Sequence, residues 1–162
     1  MQAIVCVDQN WGIGKGGKLL FHIKEDMQRF KKLTMGHTVI MGRKTLESLP
    51  GKKGLPGRRN IVLTTNPDFA AENAEVASTP LAALFAVGLE DFCIGGEQTY
   101  RTFLPACDKV FVTKIFADAE ADAHFPDLDK DPAWRISYKS PMKEENGVKF
   151  CFVNYVRKKD KE

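Results

Sequence analysis

The stretch "TVIMGRKTLESLP", Thr38 to Pro50, changes character at its centre. Its first four residues are apolar or β-branched with no polar alternation, the pattern of a short strand covered on both faces. A glycine follows, and then Arg43 to Leu49 reads as a short helix. A buried strand that passes through one glycine into a helix is the repeating unit of an α/β fold. The same kind of run recurs in "AIVCV" (3–7), "NIVLT" (60–64), "DFCIG" (91–95) and "KVFVTKI" (109–115). Helical patterns separate them at Lys24 to Thr34, Thr79 to Val87 and Gln98 to Leu104. After about residue 106 the helices stop. There "WRISYKS", the turn pair Asn146-Gly147 and "VKFCFVNYVRK" read as an antiparallel hairpin. The expected architecture is one α/β domain over 1–162, with a largely parallel sheet and a charged, solvated tail at about 157–162.

The composition sets limits. The chain has 162 residues, 43% hydrophobic and 28% charged, with a net charge of +3. That suits a globular domain with its own core. The basic excess is too mild for a dedicated nucleic-acid binder. No run reaches the roughly 18 apolar residues of a membrane span, and "MQAIVCVDQN" has neither a basic leader nor a long apolar core, so no export signal is expected. Cys6, Cys93, Cys107 and Cys151 are far apart and lie in or next to apolar runs. They read as free, buried thiols in a reducing cytoplasm. His22, His37 and His124 share no ligand spacing with them or with each other, so no metal is expected.

Three strand ends attract attention. At Gly42 the strand meets Arg43, Lys44 and Thr45 at a helix start, where free N–H groups, a forked guanidinium and an ammonium favour an anion. At Gly95-Gly96 a second strand enters a helix, and two glycines let backbone approach a ligand closely. "IVLTTNP" offers Thr64 and Thr65 at a third. Each alone is compatible with a solvated turn. Together they lie where ligands of open α/β sheets bind, at the carboxyl ends of the strands. "GIGKGG" contains a formal G-x-G-x-x-G, but the helix begins about six residues too late for a dinucleotide fingerprint. It reads instead as a flexible, lid-like loop.

The helix from Lys24 carries a further signal. With Ile23 at zero on a helical wheel, Met27, Phe30, Leu33 and Thr34 fall at roughly 40°, 340°, 280° and 20°. Lys24, Glu25, Gln28, Arg29, Lys31 and Lys32 fall between roughly 80° and 240°, the wet arc. Asp26 falls at roughly 300°, on the apolar face. An acid in a first turn can serve the helix dipole, but a capping acid need not sit between Phe30 and Leu33. A carboxylate placed there has a raised pKa and wants a specific donor, such as a ligand amidine or guanidine. Thr113, a hydroxyl within an apolar strand, could orient it.

These residues together resemble the dihydrofolate reductase family. "WGIGKGGKLLFHIKEDMQRFKKLT" is similar to its glycine-containing loop and first helix, and "VIMGRKTLESLP" is the most specific match. "LPGRRNIVLT", "IGGEQTY", "VTKI" and "AHFPD" follow in family order over nearly the whole chain. The resemblance implies a central, mostly parallel eight-stranded sheet with a C-terminal antiparallel strand and four helices. It implies reduction of 7,8-dihydrofolate to tetrahydrofolate with NADPH, hydride passing from nicotinamide C4 to pterin C6. Asp26 would be the single active-site acid, binding the pterin N3 and 2-amino group and promoting protonation at N5.

By the same resemblance, Ile4, Val5, Met27, Phe30, Leu49, Leu55 and Ile94 would line the pterin and aminobenzoyl pocket. Arg58 would grip the glutamate α-carboxylate, Thr113 would support Asp26, and Tyr100 would lie near the nicotinamide. Cys6, Ile13 and Gly14 would border the cofactor. Arg43, Lys44, Thr45 and the segment Gly95, Gly96, Glu97, Gln98 and Thr99 would meet its phosphates, and Thr64 and Thr65 its adenosine ribose and 2′-phosphate. The Gly95-Gly96 peptide is often cis in the family. A cytoplasmic monomer that antifolates inhibit is implied as well.

The chain departs from the family pattern at several positions. Leu20-Phe21 stands where Pro-Trp is usual, so an indole N–H that orders water near the pterin is missing. Lys24 replaces a helix-starting proline, and Glu97 a third small residue. Gln98 replaces a basic residue that in some members contacts the 2′-phosphate, which leaves that contact to Arg43, Thr64, Thr65 and Arg59. Two rival readings are a riboflavin-pathway reductase on a similar sheet and a non-catalytic nucleotide-binding module. Asp26 on the apolar face and Arg58 favour folate over both.

Overall fold

A computed structural model describes residues 1–159. Among the described residues, eleven strands and four α-helices follow one another. They are β1 (Gln2–Val7), β2 (Gly12–Gly14), α1 (Lys24–Thr34), β3 (Thr38–Gly42), α2 (Arg43–Ser48), β4 (Arg59–Leu63), β5 (Glu75–Ala77), α3 (Pro80–Phe85), β6 (Phe92–Cys93), α4 (Glu97–Phe103), β7 (Lys109–Ile115), β8 (Ala123–His124), β9 (Trp134–Lys139), β10 (Lys143–Glu145) and β11 (Val148–Arg157). The main sheet runs β10-β11-β7-β1-β6-β3-β4-β5, with β9 also paired to β11. Strands β7 to β5 along this order are parallel, and β11 is antiparallel to β7.

The expected eight strands become nine for a definite reason. Strand β11 is ten residues long, and two short partners share its outer edge. Near its start it pairs with β10, Lys143 opposite Phe150, and near its end with β9, Trp134 opposite Arg157. The sheet is therefore eight positions wide. The Asn146-Gly147 turn joins β10 to β11 as the sequence indicates, with both residues at positive φ. Strand β5 has no counterpart in the sequence reading, because "EVA" carries too little apolar pattern to register.

The central strands are buried on both faces, which explains their unbroken apolar runs. Val39, Ile40 and Met41 are fully buried, as are Val110 and Val112. Truncating one such Ile or Met to Ala costs about 2–5 kcal/mol. Side-chain alternation divides β1 between two cores. Ala3, Val5 and Val7 pack with Trp11, Tyr100 and Tyr155, whereas Ile4 packs with Met41, Phe92 and Phe111.

Two further expectations change. The glycine-containing loop is pinned over its first half: β2 pairs with β8, and the Gly16 amide donates to Asp122 Oδ2 at 2.9 Å. The buried Asp8 carboxylate accepts the amides of Asn10, Gly12 and Ala119, which ties the loop root to the segment after β7. A side chain at Gly12 would meet Ala121 Cβ at 2.4 Å, so only glycine fits there. At the other end, Arg157 belongs to β11 rather than to a solvated tail. Its guanidinium donates to the carbonyls of Cys107 and Leu104 and lies 4.4 Å from the Trp134 ring centre. Residues 160–162 of that expected tail lie outside the described residues.

Candidate active site

Helix α1 presents Asp26 to the sheet. Its N-cap residue Ile23 is buried and offers no side-chain cap. The Glu145 carboxylate of β10 instead accepts the Lys24 amide at 2.7 Å, and Lys143 Nζ donates to Glu25 at 3.1 Å. The helix start is thus capped by the C-terminal hairpin, and Asp26 is released from that task. Thr113 Oγ1 donates to Asp26 Oδ1 at 2.5 Å, so the expected pairing of Thr113 with Asp26 is present in the geometry. Cys6 lies opposite Thr113 in the β1–β7 register, which places its thiol on the strand beside the one that holds Asp26.

The electrostatics of this acid follow from its surroundings. Burial pushes its pKa above the ordinary carboxylate value, while the Thr113 hydroxyl, the Arg29 charge and the Cys6 thiol pull it back. Burial, followed by the charge and hydrogen bond of Asp26, drives the Cys6 thiol well above its usual value. Cys6 is consequently a neutral thiol and not a nucleophile.

The apolar residues expected around Asp26 do not all converge. Ile4, Phe30, Leu49, Leu55 and Ile94 join one cluster with Phe111. Met27 lies on the same helical arc as Ile23 yet stays 57% exposed. Val5 packs on the opposite face of β1, away from Ile4, because adjacent strand residues point to opposite sides. Tyr100 is buried, and its hydroxyl donates to the Ile4 carbonyl at 2.6 Å, locking α4 to β1.

Arg58 is buried to 8% exposure. Its Nη1 donates to Thr34 Oγ1 at 3.0 Å and its Nε to the Pro56 carbonyl at 3.0 Å. Thr34 Oγ1 in turn donates to the Phe30 carbonyl at 2.7 Å. All these partners are neutral, so the guanidinium is oriented but not neutralised. Asp26 and Thr34 stand at opposite ends of one helix, roughly 12 Å apart along its axis. One rigid element therefore positions an anionic group at one end and, through Thr34, a cation at the other.

A separate cleft of about 530 Å³ opens along the carboxyl ends of the strands, as the three strand-end motifs indicate. It brings together Gly42, Arg43, Lys44, Thr45, Thr64, Thr65, Gly96, Glu97, Gln98 and Thr99. The two glycine junctions touch: a side chain at Gly42 would meet Thr99 Oγ1 at 2.8 Å, and the Gly42 amide donates to the Gly95 carbonyl at 2.8 Å. The Gly95-Gly96 peptide is cis, and Gly95 has φ of 126°, a conformation suited to glycine. Cys6, Ile13, Gly14 and Gly95 are not in the lining of this cleft. Ile13 packs on the main core, Gly14 lies in β2, and Cys6 stands by Asp26.

Charge in the cleft is distributed unevenly. Arg43 is paired with Glu47 one turn along α2, whereas the Glu97 carboxylate turns to the His124 amide at 2.8 Å. Arg59 does not reach the cleft. It opens β4 at the end opposite Thr64 and pairs with Glu75, so it is corrected as a 2′-phosphate contact. Ser78, which the sequence reading missed, follows β5 into the cleft, as do Thr102 of α4 and Pro80. Only recognition of β5 as a strand could have revealed Ser78, since a polar residue just past a parallel strand lies at the binding edge. Two cations, a row of hydroxyls and close-approaching backbone amides make a donor set for phosphates and ribose.

The comparisons with known proteins agree with this geometry. A family model described as dihydrofolate reductase matches residues 1–157. The dihydrofolate reductase of Neisseria gonorrhoeae is 40% identical over 158 residues, covering 96% of both chains. That of Bacillus subtilis (strain 168) is 38% identical over 159 residues, covering 96% of this chain and 93% of its own. The solved structure of dihydrofolate reductase from Enterococcus faecalis, complexed with NADP(H) and RAB-propyl, superposes with a TM-score of 0.82 at 32% identity and covers 98% of this chain. With the match running through both the Asp26 pocket and the strand-end cleft, the chain belongs to the dihydrofolate reductase family.

Proposed function

We propose that this chain reduces 7,8-dihydrofolate to tetrahydrofolate with NADPH, with Asp26 as the acid that binds the pterin. The single observation that carries the assignment of Asp26 is its position: an acid on the sheet-facing side of α1, relieved of capping by Glu145 and supported by Thr113. An ionised carboxylate there accepts two parallel hydrogen bonds from pterin N3 and the 2-amino group, a charge-assisted pair with one fixed orientation. Its negative charge makes the pterin more basic and so promotes protonation at N5. Ile4, Phe30, Leu49, Leu55 and Ile94 exclude water from the ring and the aminobenzoyl group, with Met27 and the Val5 backbone at the border. Arg58 takes the glutamate α-carboxylate, a forked contact for which its planar guanidinium is suited.

The strand-end cleft fits NADPH by its donor set. Arg43, Lys44, Thr45 and the Gly95–Thr99 segment would hold the phosphates, and Thr64, Thr65 and Ser78, together with Arg43, the adenosine ribose and its 2′-phosphate. Tyr100, Cys6, Ile13 and Gly14 would border the nicotinamide. When bound, NADPH supplies the hydride that pterin C6 receives. The chain acts in this reading as one domain and a monomer in the cytoplasm, open to antifolates at the Asp26 pocket. No helix among the described residues is long and apolar enough to cross a membrane.

Asp26→Asn tests the assignment, assayed with dihydrofolate and with NADPH and NADH side by side. A fall in kcat of at least about tenfold, roughly 1.4 kcal/mol, is expected at neutral pH. A smaller fall refutes the role of Asp26. NADPH binding without any turnover by the unaltered protein refutes the activity itself.

A further inference from the structure

Helix α1 carries four cations, and three of them, Lys24, Lys31 and Lys32, face solvent. Arg29 is drawn inward to intermediate exposure, although the helical wheel puts it at the edge of the wet arc. Its guanidinium carbon stands 4.2 Å from the ring centre of Phe152 and 5.7 Å from that of Phe111. Its Nη2 donates to Asn154 Oδ1 at 2.9 Å. Among the described residues no carboxylate forms a direct ion pair with it, so a half-buried charge is held by two aromatic faces and one neutral amide.

The sheet register explains where that charge points. Phe152 on β11 is the cross-strand partner of Thr113 on β7, and Asn154 is the partner of Phe111. Thr113 holds Asp26, and Phe152 and Asn154 hold Arg29. The carboxylate and the guanidinium are thereby mounted on neighbouring strands, which lie roughly 5 Å apart. They also lie three positions apart on α1, and so share one side of that helix.

We propose that Arg29 is a positioning residue for Asp26: seated on Phe152 and Asn154, it supplies a fixed positive charge on the neighbouring strand and keeps that acid ionised and aimed at its ligand. An offset cation has an advantage over a direct ion pair. It favours the ionised form through its field while leaving the carboxylate oxygens to Thr113 and to ligand donors. The proposal rests on the reading of Asp26 as the pterin-binding acid.

Other groups face the pair from every side. The Cys6 thiol of β1 and the Asp26 carboxylate act on each other, and Asp8, just past the end of β1, acts on Cys6. The buried Tyr100 of α4 feels the Asp26 charge. Tyr138 of β9 faces Arg29, and Lys143 of β10 shares the Phe152 ring at 5.9 Å while paired with Glu25. The Lys143–Glu25 pair is internally neutralised, whereas the unpaired Arg29 charge acts on Asp26. The coupling is reciprocal: burial lowers the Arg29 pKa, and Asp26 raises it again.

The deciding experiment is a carboxyl-carbon NMR titration of Asp26 in the ligand-free protein, for the unaltered chain, Arg29→Gln and Arg29→Lys. Arg29→Gln is expected to move the Asp26 midpoint to higher pH, so that its protonated population well above both midpoints rises at least about threefold. Arg29→Lys is expected to stay close to the unaltered chain. An unmoved midpoint in Arg29→Gln overturns the proposal, as does a Lys variant that moves as far as the Gln variant. Should Arg29→Gln not fold, Asn154→Asp neutralises Arg29 in place; its midpoint must also rise, and an unmoved one overturns the proposal. The pH profile of dihydrofolate reduction separates this from the underlying reading. A carboxyl midpoint that moves while the rate profile stays still supports the Arg29 coupling and refutes the catalytic role of Asp26.

Discussion

Thr113→Val removes one hydrogen bond and almost nothing else. The residue is 3% exposed and lies between Cys6 on one neighbouring strand and Phe152 on the other. Valine matches its shape, so no cavity opens. The donor it removes serves Asp26 Oδ1. A hydrogen bond to a charged group contributes about 1.5–3 kcal/mol, and one to a neutral group about 0.5–1.5 kcal/mol. Asp26 is only half-buried, so the lower ends of these ranges apply. The loss therefore grows by about 1 kcal/mol as Asp26 passes from protonated to ionised.

The sign follows from linkage. Burial already raises the folded-state pKa of Asp26, and the Thr113 bond opposes that rise. Removing the bond raises it further. A raised folded pKa means stability that is present at low pH and lost as pH rises through that pKa. Urea unfolding of Thr113→Val and the unaltered chain, compared from about pH 4 to about pH 9, should show a deficit that widens toward the alkaline end by about 1 kcal/mol. The pH profile of dihydrofolate reduction should move in the same upward direction. A deficit that stays flat across this range refutes the reasoning, because it would mean that the hydroxyl does not distinguish the ionised acid from the protonated one.

Arg58→Lys keeps the charge but loses the fork. It should weaken dihydrofolate by about 1.5–3 kcal/mol in kcat/KM and leave a dihydropterin without a glutamate tail unchanged; equal losses for both would contradict the carboxylate contact. Glu47→Gln releases Arg43 from its pair on α2. The preference for NADPH over NADH should rise about twofold to fivefold, and a preference that is unchanged or lower would exclude Arg43 as a 2′-phosphate contact. Phe21→Trp, alone and with Leu20→Pro, restores the indole donor and a stiffer loop. Inhibition constants of a diaminopyrimidine antifolate should tighten more than the KM for dihydrofolate, and the idea fails if inhibition gains nothing.

Much of the site was legible because it is built from local periodicity. Asp26 stood out by its angle on α1, which depends only on residues within two helical turns. Gly42 and Gly95-Gly96 stood out because strand-to-helix junctions have a local composition. Other features were hidden because they depend on segments far apart in the chain. Glu145 caps a helix 121 positions away, and Arg29 meets Asn154 125 positions away. Nothing local to Arg59 marks its pairing with Glu75, and Ser78 follows a strand too short to carry an apolar pattern.

The sequence by itself determined the alternation of strand and helix, the faces each element buries, and the acid that violates its own face. These follow from the periods 2 and 3.6, which a chain carries before it folds. Tertiary structure alone decided which neighbours those faces meet: that β9 and β10 share one edge of β11, that Val5 and Ile4 serve different cores, and that Arg29 lies against Phe152 and Asn154 instead of in water. Register and edge sharing are set by contacts across long loops, where one residue of slip would exchange every partner.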